Sequence, residues 1–272
     1  MAELPELLVL AEQMGTELAG KTLADVEVVQ EKCLNLPPAA FRQNLVGCRI
    51  DRVYNRGKWI FLDLSQEGHL LLNLGMGADL LYYGPGQAWD DGHRVRFHFD
   101  DGSGFTCRFW WFGHAHYCST PELAGHEPTA SLGPLALSDE MTLEWFSSLF
   151  GKGRRRVKAM LTDQKRISGI GNVYIQDILF RARLHPTRPV SGLSEADVAR
   201  LYHATTGTLR EAYEKRGLAY EKDFYGVPGG VTMDDFLVGY REGKPCPECG
   251  ATVAKIRTGS TASFICPVCQ PE

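Results

Sequence analysis

Apolar residues stand at positions 7, 8, 10, 11, 14 and 18, the spacing of a helix with one buried face, and Gly20 follows where a helix would stop. The pattern predicts a helix from Pro5 to about Leu18. Beyond it the period shortens. The stretches LADVEVV, RIDRVYN, KWIFLDL, HLLLNL, RVRFHF and GFTCRFWWF alternate or run apolar over strand lengths, with GP, DG and DDGSG between them. These predict a β-rich first domain of roughly six to eight strands, folded as a sandwich or flattened barrel.

From 119 to 138 the chain reads STPELAGHEPTASLGPLALS as its connector, rich in proline and devoid of lysine and arginine. After it the period becomes helical. Ser138 with Asp139 and Glu140 is expected to start one helix, and Ser194 with Glu195 another that runs to about Lys215. Residues 218–240 carry Pro-Gly-Gly and read as a long loop, functional or mobile in a compact domain.

The length of 272 residues suits two domains, and 44% hydrophobic residues can fill their cores. A net charge of -4 and a pI near 6.1 give no global sign of a nucleic-acid partner, so any such function must sit in a local patch. No apolar run reaches the ~18 residues of a membrane span, and Glu3 and Glu6 stand where a signal peptide would be positive. Cys33, Cys48, Cys107 and Cys118 are scattered through apolar surroundings and read as small buried hydrophobes.

The other four cysteines are ordered. Cys246 and Cys249 are two residues apart, as are Cys266 and Cys269, with sixteen residues between the pairs. Two such knuckles across a hairpin-length gap are the ligand set of one tetrahedral Zn²⁺. With four protein ligands the metal is structural, and it folds a hairpin too small to fold alone.

The local patch is GKGRRRVKAMLTDQKR, residues 151–166. Lys152, Arg154, Arg155, Arg156, Lys158, Lys165 and Arg166 against Asp163 give it a net +6. It passes into ISGIGNVYIQDILFRARLHP, read as two helices joined by a turn at Ser168-Gly169-Ile170-Gly171. Glycines there permit close approach of a partner, and Asn172 is expected to open the second helix, with a phosphate beside it and Lys158.

GIGNVYIQDILFRARLHP, the paired knuckles ending CPVCQ, and the N-terminal ELPE together resemble the formamidopyrimidine-DNA glycosylase and endonuclease VIII family, in its order and over essentially the whole chain. The resemblance implies an α+β protein: an N-terminal helix and β-sandwich in residues 1–120, a linker over 121–138, a helix–two-turn–helix domain over 139–240 and a zinc-finger hairpin over 241–272. It implies a DNA glycosylase and abasic-site lyase of base-excision repair, a monomer of the bacterial cytoplasm that carries one structural zinc and acts on damaged double-stranded DNA. The family's nucleophilic amine falls on Ala2, where proline is usual, and its catalytic acids fall on Glu3 and Glu6. Its phosphate-reaching hairpin lysine is Lys58, and the side chain that fills the gap of a flipped base is Met76. Phe112 is a further wedge, while Arg156, Lys158, Gly171 and Asn172 are the DNA grip. The chain departs from the pattern at Trp110, which takes the DNA-contacting position where an arginine commonly reads the orphaned base. It departs again at Thr261, where the finger hairpin commonly carries an arginine; Arg257 stands nearby but out of register.

The chemistry has a physical basis at Ala2. An α-amino group titrates at roughly 7.7–8.0, so much of it is neutral and nucleophilic near neutral pH. Alanine is also small enough for the preceding methionine to be removed, and its primary amine can form an iminium as proline's can. Glu3 is expected to supply a proton to the sugar ring oxygen. Two other readings use the same residues: a binder of damaged or abasic DNA without efficient base removal, and an unrelated zinc-ribbon protein. The second explains only the cysteines.

Overall fold

A computed structural model describes residues 2–89, 91–151 and 153–272, so Met1 and Lys152 of the sequence reading lie outside the described residues. The chain forms two compact units, residues 1–131 with 215–230, and 132–214 with 231–272.

The first unit opens with α1 (Leu4–Leu18), followed by β1 (Leu23–Val28), α2 (Pro38–Leu45), β2 (Ile50–Arg56), β3 (Trp59–Leu64), β4 (Gly68–Asn73), β5 (Met76–Tyr83), β6 (Val95–Phe99), β7 (Gly104–Trp111) and β8 (His114–Ser119). Every pairing is antiparallel, in two four-stranded sheets ordered β1-β6-β7-β5 and β2-β3-β4-β8. This is the expected sandwich. In β6 the alternation is clean: Val95, Phe97 and Phe99 are buried and the residues between them are not. In β3 it is lost: Trp59, Ile60, Phe61 and Leu62 are all buried, Ile60 and Leu62 in the sandwich core, Phe61 stacked on Tyr54 and Trp59 packed among imidazoles. Leu7, Leu10, Met14 and Leu18 carry the apolar stripe of α1 into one core with Leu62, Leu72, Phe97 and Phe105.

The segment read as a loop belongs here over its first part. Phe224 sits in the same core, and the polar face of α1 grips the backbone around it. Gln13 Oε1 accepts from the Phe224 N–H at 2.9 Å, Gln13 Nε2 donates to Asp223 at 2.8 Å, and Tyr225 Oη donates to Glu17 at 2.8 Å. At one edge of the second sheet the Trp59 indole lies among three imidazoles, with ring centroids 6.0 Å from His114, 5.4 Å from His116 and 5.3 Å from His126. His116 Nδ1 and His126 Nε2 are 2.9 Å apart, within hydrogen-bond distance.

Two short helices, α3 (Thr120–Leu123) and α4 (Glu127–Ala130), stand in the proline-rich connector. The second unit holds α5 (Leu143–Ser148), α6 (Val157–Leu161), α7 (Ile175–Arg181), α8 (Glu195–Glu214) and the hairpin β9 (Ala254–Thr258)–β10 (Thr261–Ile265). Helix α8 ends within a residue of its expected limit. The helix expected at Ser138 starts later, at Leu143, where the Thr142 hydroxyl accepts from the Trp145 N–H at 3.1 Å. Ser138 instead donates to the Leu135 carbonyl and closes a turn. On α7 the buried Asp177 carboxylate accepts the N–H groups of Leu237, Val238 and Gly239 at 2.7, 3.0 and 2.9 Å, which pins the end of the 218–240 segment.

Candidate active site

Glu3 occupies the N-cap of α1 in extended backbone, φ −117°, and is only 1% exposed. Its N–H donates to Glu6 Oε2 at 2.7 Å, while Glu6 Oε1 accepts from the Leu218 N–H at 3.1 Å. One buried carboxylate thus ties the start of α1 to the segment at 217–218. Gly217 is required beside it: its φ is +83°, and a Cβ would stand 2.7 Å from Glu6 Oε1.

Ala2, buried next to Glu3, forms one wall of a cleft of about 220 Å³ that is also lined by Lys58, Asn73, Met76 and Phe112. Lys58 and Gly57 make the two-residue turn of the β2–β3 hairpin, with Arg56 paired to Trp59 and Gly57 at φ +57°. Asn73 ends β4 and braces two walls at once. Its Nδ2 donates to the Lys58 carbonyl at 2.9 Å and its Oδ1 accepts from the Gly75 N–H at 3.0 Å. Sequence reasoning passes over Asn73, whose only signal is its place at a strand end just before LGMG.

Apolar side chains crown the cleft. Met76 stands between Gly75 and Gly77, both at positive φ, and is 46% exposed. Phe112 is 75% exposed and sits at φ +57°, a left-handed conformation that costs a non-glycine residue of order 1 kcal/mol. Gly113 holds the turn there, since a Cβ on it would come within 2.2 Å of the Phe109 ring. Trp110 is 62% exposed and projects beside Gly77, with the Arg108 guanidinium 5.4 Å from its ring centroid. Large apolar groups exposed together at a cleft mouth mark a surface made for a partner. The structure therefore brings Ala2, Lys58, Met76 and Phe112 to one cleft and leaves Trp110 outside its lining.

In the second unit the glycine turn is braced from within. Gln164 Oε1 accepts from the Gly169 N–H at 2.9 Å and its Nε2 donates to the Ile170 carbonyl at 2.8 Å. Ser168 pairs with Pro134 and Ala136 of the connector. Gly171 is buried, and α7 begins at Ile175, so Asn172 lies before the helix rather than opening it. Asn172 supplies its carbonyl and its Oδ1 to Gln176 Nε2 at 2.8 and 3.2 Å. Arg155 and Arg166 both pair with Asp163, whereas Arg156 is exposed with no side-chain partner among the described residues.

Lys158 is placed differently from the expectation of a phosphate grip. It is 6% exposed, and its ammonium lies against the Thr258 and Thr261 hydroxyls at 3.1 and 3.0 Å, the Ala262 carbonyl at 2.8 Å and the Ser263 hydroxyl at 2.8 Å. Burial brings its titration down to about 8. Thr261, the departure in the finger hairpin, is one of these acceptors.

The four hairpin cysteines are the only group of three or more metal-ligating side chains gathered this way among the described residues, with all four sulfurs within 4.8 Å of one another. Cys246 and Cys269 sulfurs are 3.9 Å apart and those of Cys249 and Cys266 are 3.4 Å apart. Tetrahedral Zn–S bonds of ~2.3 Å require S···S separations of roughly 3.8 Å, so the donors fit that metal. Phe180, Val238, Val253 and Phe264 pack the small core around them.

The family model described as formamidopyrimidine-DNA glycosylase N-terminal domain matches residues 1–110, the H2TH domain model of the same family matches 132–222, and a zinc finger found in FPG and IleRS matches 243–271. A formamidopyrimidine-DNA glycosylase of Bacillus cereus is 32% identical over the full length of both chains. One from Roseiflexus is 34% identical over 99% of this chain and 100% of its own. Among solved structures, Lactococcus lactis Fpg in complex with abasic-site DNA superposes with a TM-score of 0.89 over the whole of both chains at 21% identity, a likeness of fold.

Proposed function

The chain belongs to the formamidopyrimidine-DNA glycosylase family, and on that premise we propose that its first-unit cleft is the active site of a DNA glycosylase and abasic-site lyase of base-excision repair. The observation that carries the reading is the convergence of Ala2, Lys58, Met76 and Phe112 on one cleft, with Glu3 buried beside it.

Removal of Met1 frees the Ala2 amine. It attacks C1′ of the damaged nucleotide, the glycosidic bond breaks, and the base leaves with the bonding electrons and a proton. Ring opening, with a proton given to O4′ by Glu3, leaves a Schiff base between Ala2 and C1′. The C2′ proton then passes to water and its bonding electrons move into the imine as an enamine. They return to form the C2′–C3′ double bond as the 3′ phosphate leaves with the C3′–O electrons, and a second elimination of the same kind releases the 5′ phosphate. Glu6 keeps the N-terminus and the segment at 218 in place through its two N–H bonds. Lys58, at the hairpin tip, pairs with a backbone phosphate near the lesion. Met76 and Phe112 fill the stack that the extruded nucleotide leaves, and this offsets the few kcal/mol of lost stacking.

The second unit, residues 132–214 and 231–272, holds the duplex through Arg156, the turn at Gly171 and Asn172, and the finger hairpin, whose cysteines bind one structural zinc. No helix among the described residues is long and apolar enough to cross a membrane. Curated relatives are bacterial, and the bacterial cytoplasm is the expected site of action for a monomer.

The test is borohydride trapping on a duplex with one abasic site, followed by peptide mapping. A covalent adduct on Ala2, lost in Glu3→Gln with DNA affinity kept within about threefold, is the expected result. DNA binding without any adduct, in protein whose mass shows Met1 removed, would replace the lyase with a damage-binding protein.

A further inference from the structure

We propose that Lys158 is a positioning residue, an internal strut that seats the finger hairpin on α6, and that Arg156 is the cation that meets a phosphate at the adjoining cleft. This rests on the DNA-binding reading above only for the role of Arg156.

A lysine ammonium has three N–H donors and no acceptor. Four oxygens stand within 3.1 Å of the Lys158 nitrogen, from both strands of the hairpin. Every donor is used inside the protein, so none remains for a phosphate. A DNA contact by this residue would have to give up one of the bonds that satisfy its ammonium, among them the buried one to Ser263.

The arrangement is a docking device in two parts. Lys158 reaches β9 and β10 from α6. Gln176 reaches β10 from α7, where its Oε1 accepts from the Phe264 N–H at 3.1 Å. Both helices thus hold the strand that leads directly to Cys266. The hydroxyls at 258, 261 and 263 are what an ammonium needs in place of water, and an arginine at 261 would face Lys158 with a like charge. The threonine there and the buried lysine form a matched pair.

What the cage removes from Lys158 it leaves to Arg156. This side chain is exposed and lines, with Lys158, Thr162, Pro186 and the hairpin turn from Thr258 to Thr261, a cleft of about 290 Å³. It alone of the two cations there has N–H donors not already taken up by the hairpin. A guanidinium at such a rim can grip a phosphate with two parallel N–H bonds.

The experiment uses the full-length zinc-loaded protein and two readouts: the rate of zinc release to a chromogenic chelator, and the salt dependence of Kd for a duplex carrying an abasic-site analogue. In Lys158→Met zinc leaves about tenfold faster, and affinity falls with the slope of log Kd against log salt unchanged. Lys158→Arg, which keeps the charge but cannot fit the cage, restores neither. The paired change Thr261→Val with Ser263→Ala leaves the lysine and reproduces the Lys158→Met effect, and the three changes together are no worse. Arg156→Met leaves zinc release unaltered and lowers the salt slope by about 1. Zinc release unchanged in both Lys158→Met and the paired variant would overturn the strut, as would a slope lowered by about 1 in Lys158→Met and recovered in Lys158→Arg. If the unaltered protein binds no duplex, the DNA reading fails, and zinc release alone still decides the strut.

Discussion

The zinc hairpin and the cleft at the N-terminus of α1 are built by opposite means. The four thiolates come from two tight knuckles within 24 residues, and the sulfurs meet because local chain geometry leaves them little choice. The cleft gathers Ala2, Lys58, Asn73, Met76 and Phe112 from five separate turns or element ends, positions that only sandwich packing brings together. One site is readable from spacing and fragile to loss of its metal. The other is invisible to spacing and depends on the fit of strands and turns. The contrast also explains their polarity: a metal site is closed and polar within, whereas the cleft is open and rimmed by exposed apolar groups.

Several changes sharpen that contrast. The largest effect is expected at the hairpin: Cys266→Ser, or zinc removal by chelation, unfolds residues 241–272, and DNA affinity drops by about two orders of magnitude. The first unit keeps its own melting transition, because the small core around the cysteines cannot stand without the metal. Limited proteolysis at Lys255 and Arg257 together with calorimetry would check this; one shared transition lost with the metal would erase the distinction between the two sites. Next comes Asn73→Ala, which frees the Lys58 turn and the Gly75 loop at once. Trapping on abasic DNA slows by about tenfold with little change in Kd, as expected when catalytic groups lose their orientation. An unchanged trapping rate would mean that backbone geometry alone orients the cleft.

The smallest effect is one of pH. Burial holds His114, His116 and His126 below the ordinary imidazole value of 6.5, His116 down to about 4. The folded state then binds protons less readily than the unfolded chain. The stability held above pH 6.5 therefore declines as pH falls toward 4. Discounted for the partial exposure of these rings, the first unit loses about 1 kcal/mol on going from pH ~7.5 to ~5.5. Urea melts of His116→Gln should show a flatter dependence over that window, and equal slopes would dismiss the cluster as the cause.

Much of this molecule was legible before folding. The helix from Pro5 to Leu18, six of the strands, the start and end of α8 and the cysteine ligand set all lie in their expected places. Their signals are local, namely periodicity, capping and spacing. Ser138 misled because a serine followed by acids also closes turns, and only packing around Phe146 selects Thr142 as the cap. The 218–240 segment misled because its anchors, Gln13 and Asp177, lie about 210 and 60 residues away.

Lys158 shows where the boundary falls. Within a run of net +6, every cation reads as equally available to a phosphate, since charge and sequence neighbours are all that can be counted. The sequence alone determined the element types, the zinc ligands, the basic segment and the family. Tertiary structure decided which cations meet solvent, which residue braces Lys58 and which loop ends are held. The physical reason is that periodicity and ligand spacing act over a few residues, whereas burial and hydrogen-bond satisfaction depend on groups that arrive from distant parts of the chain.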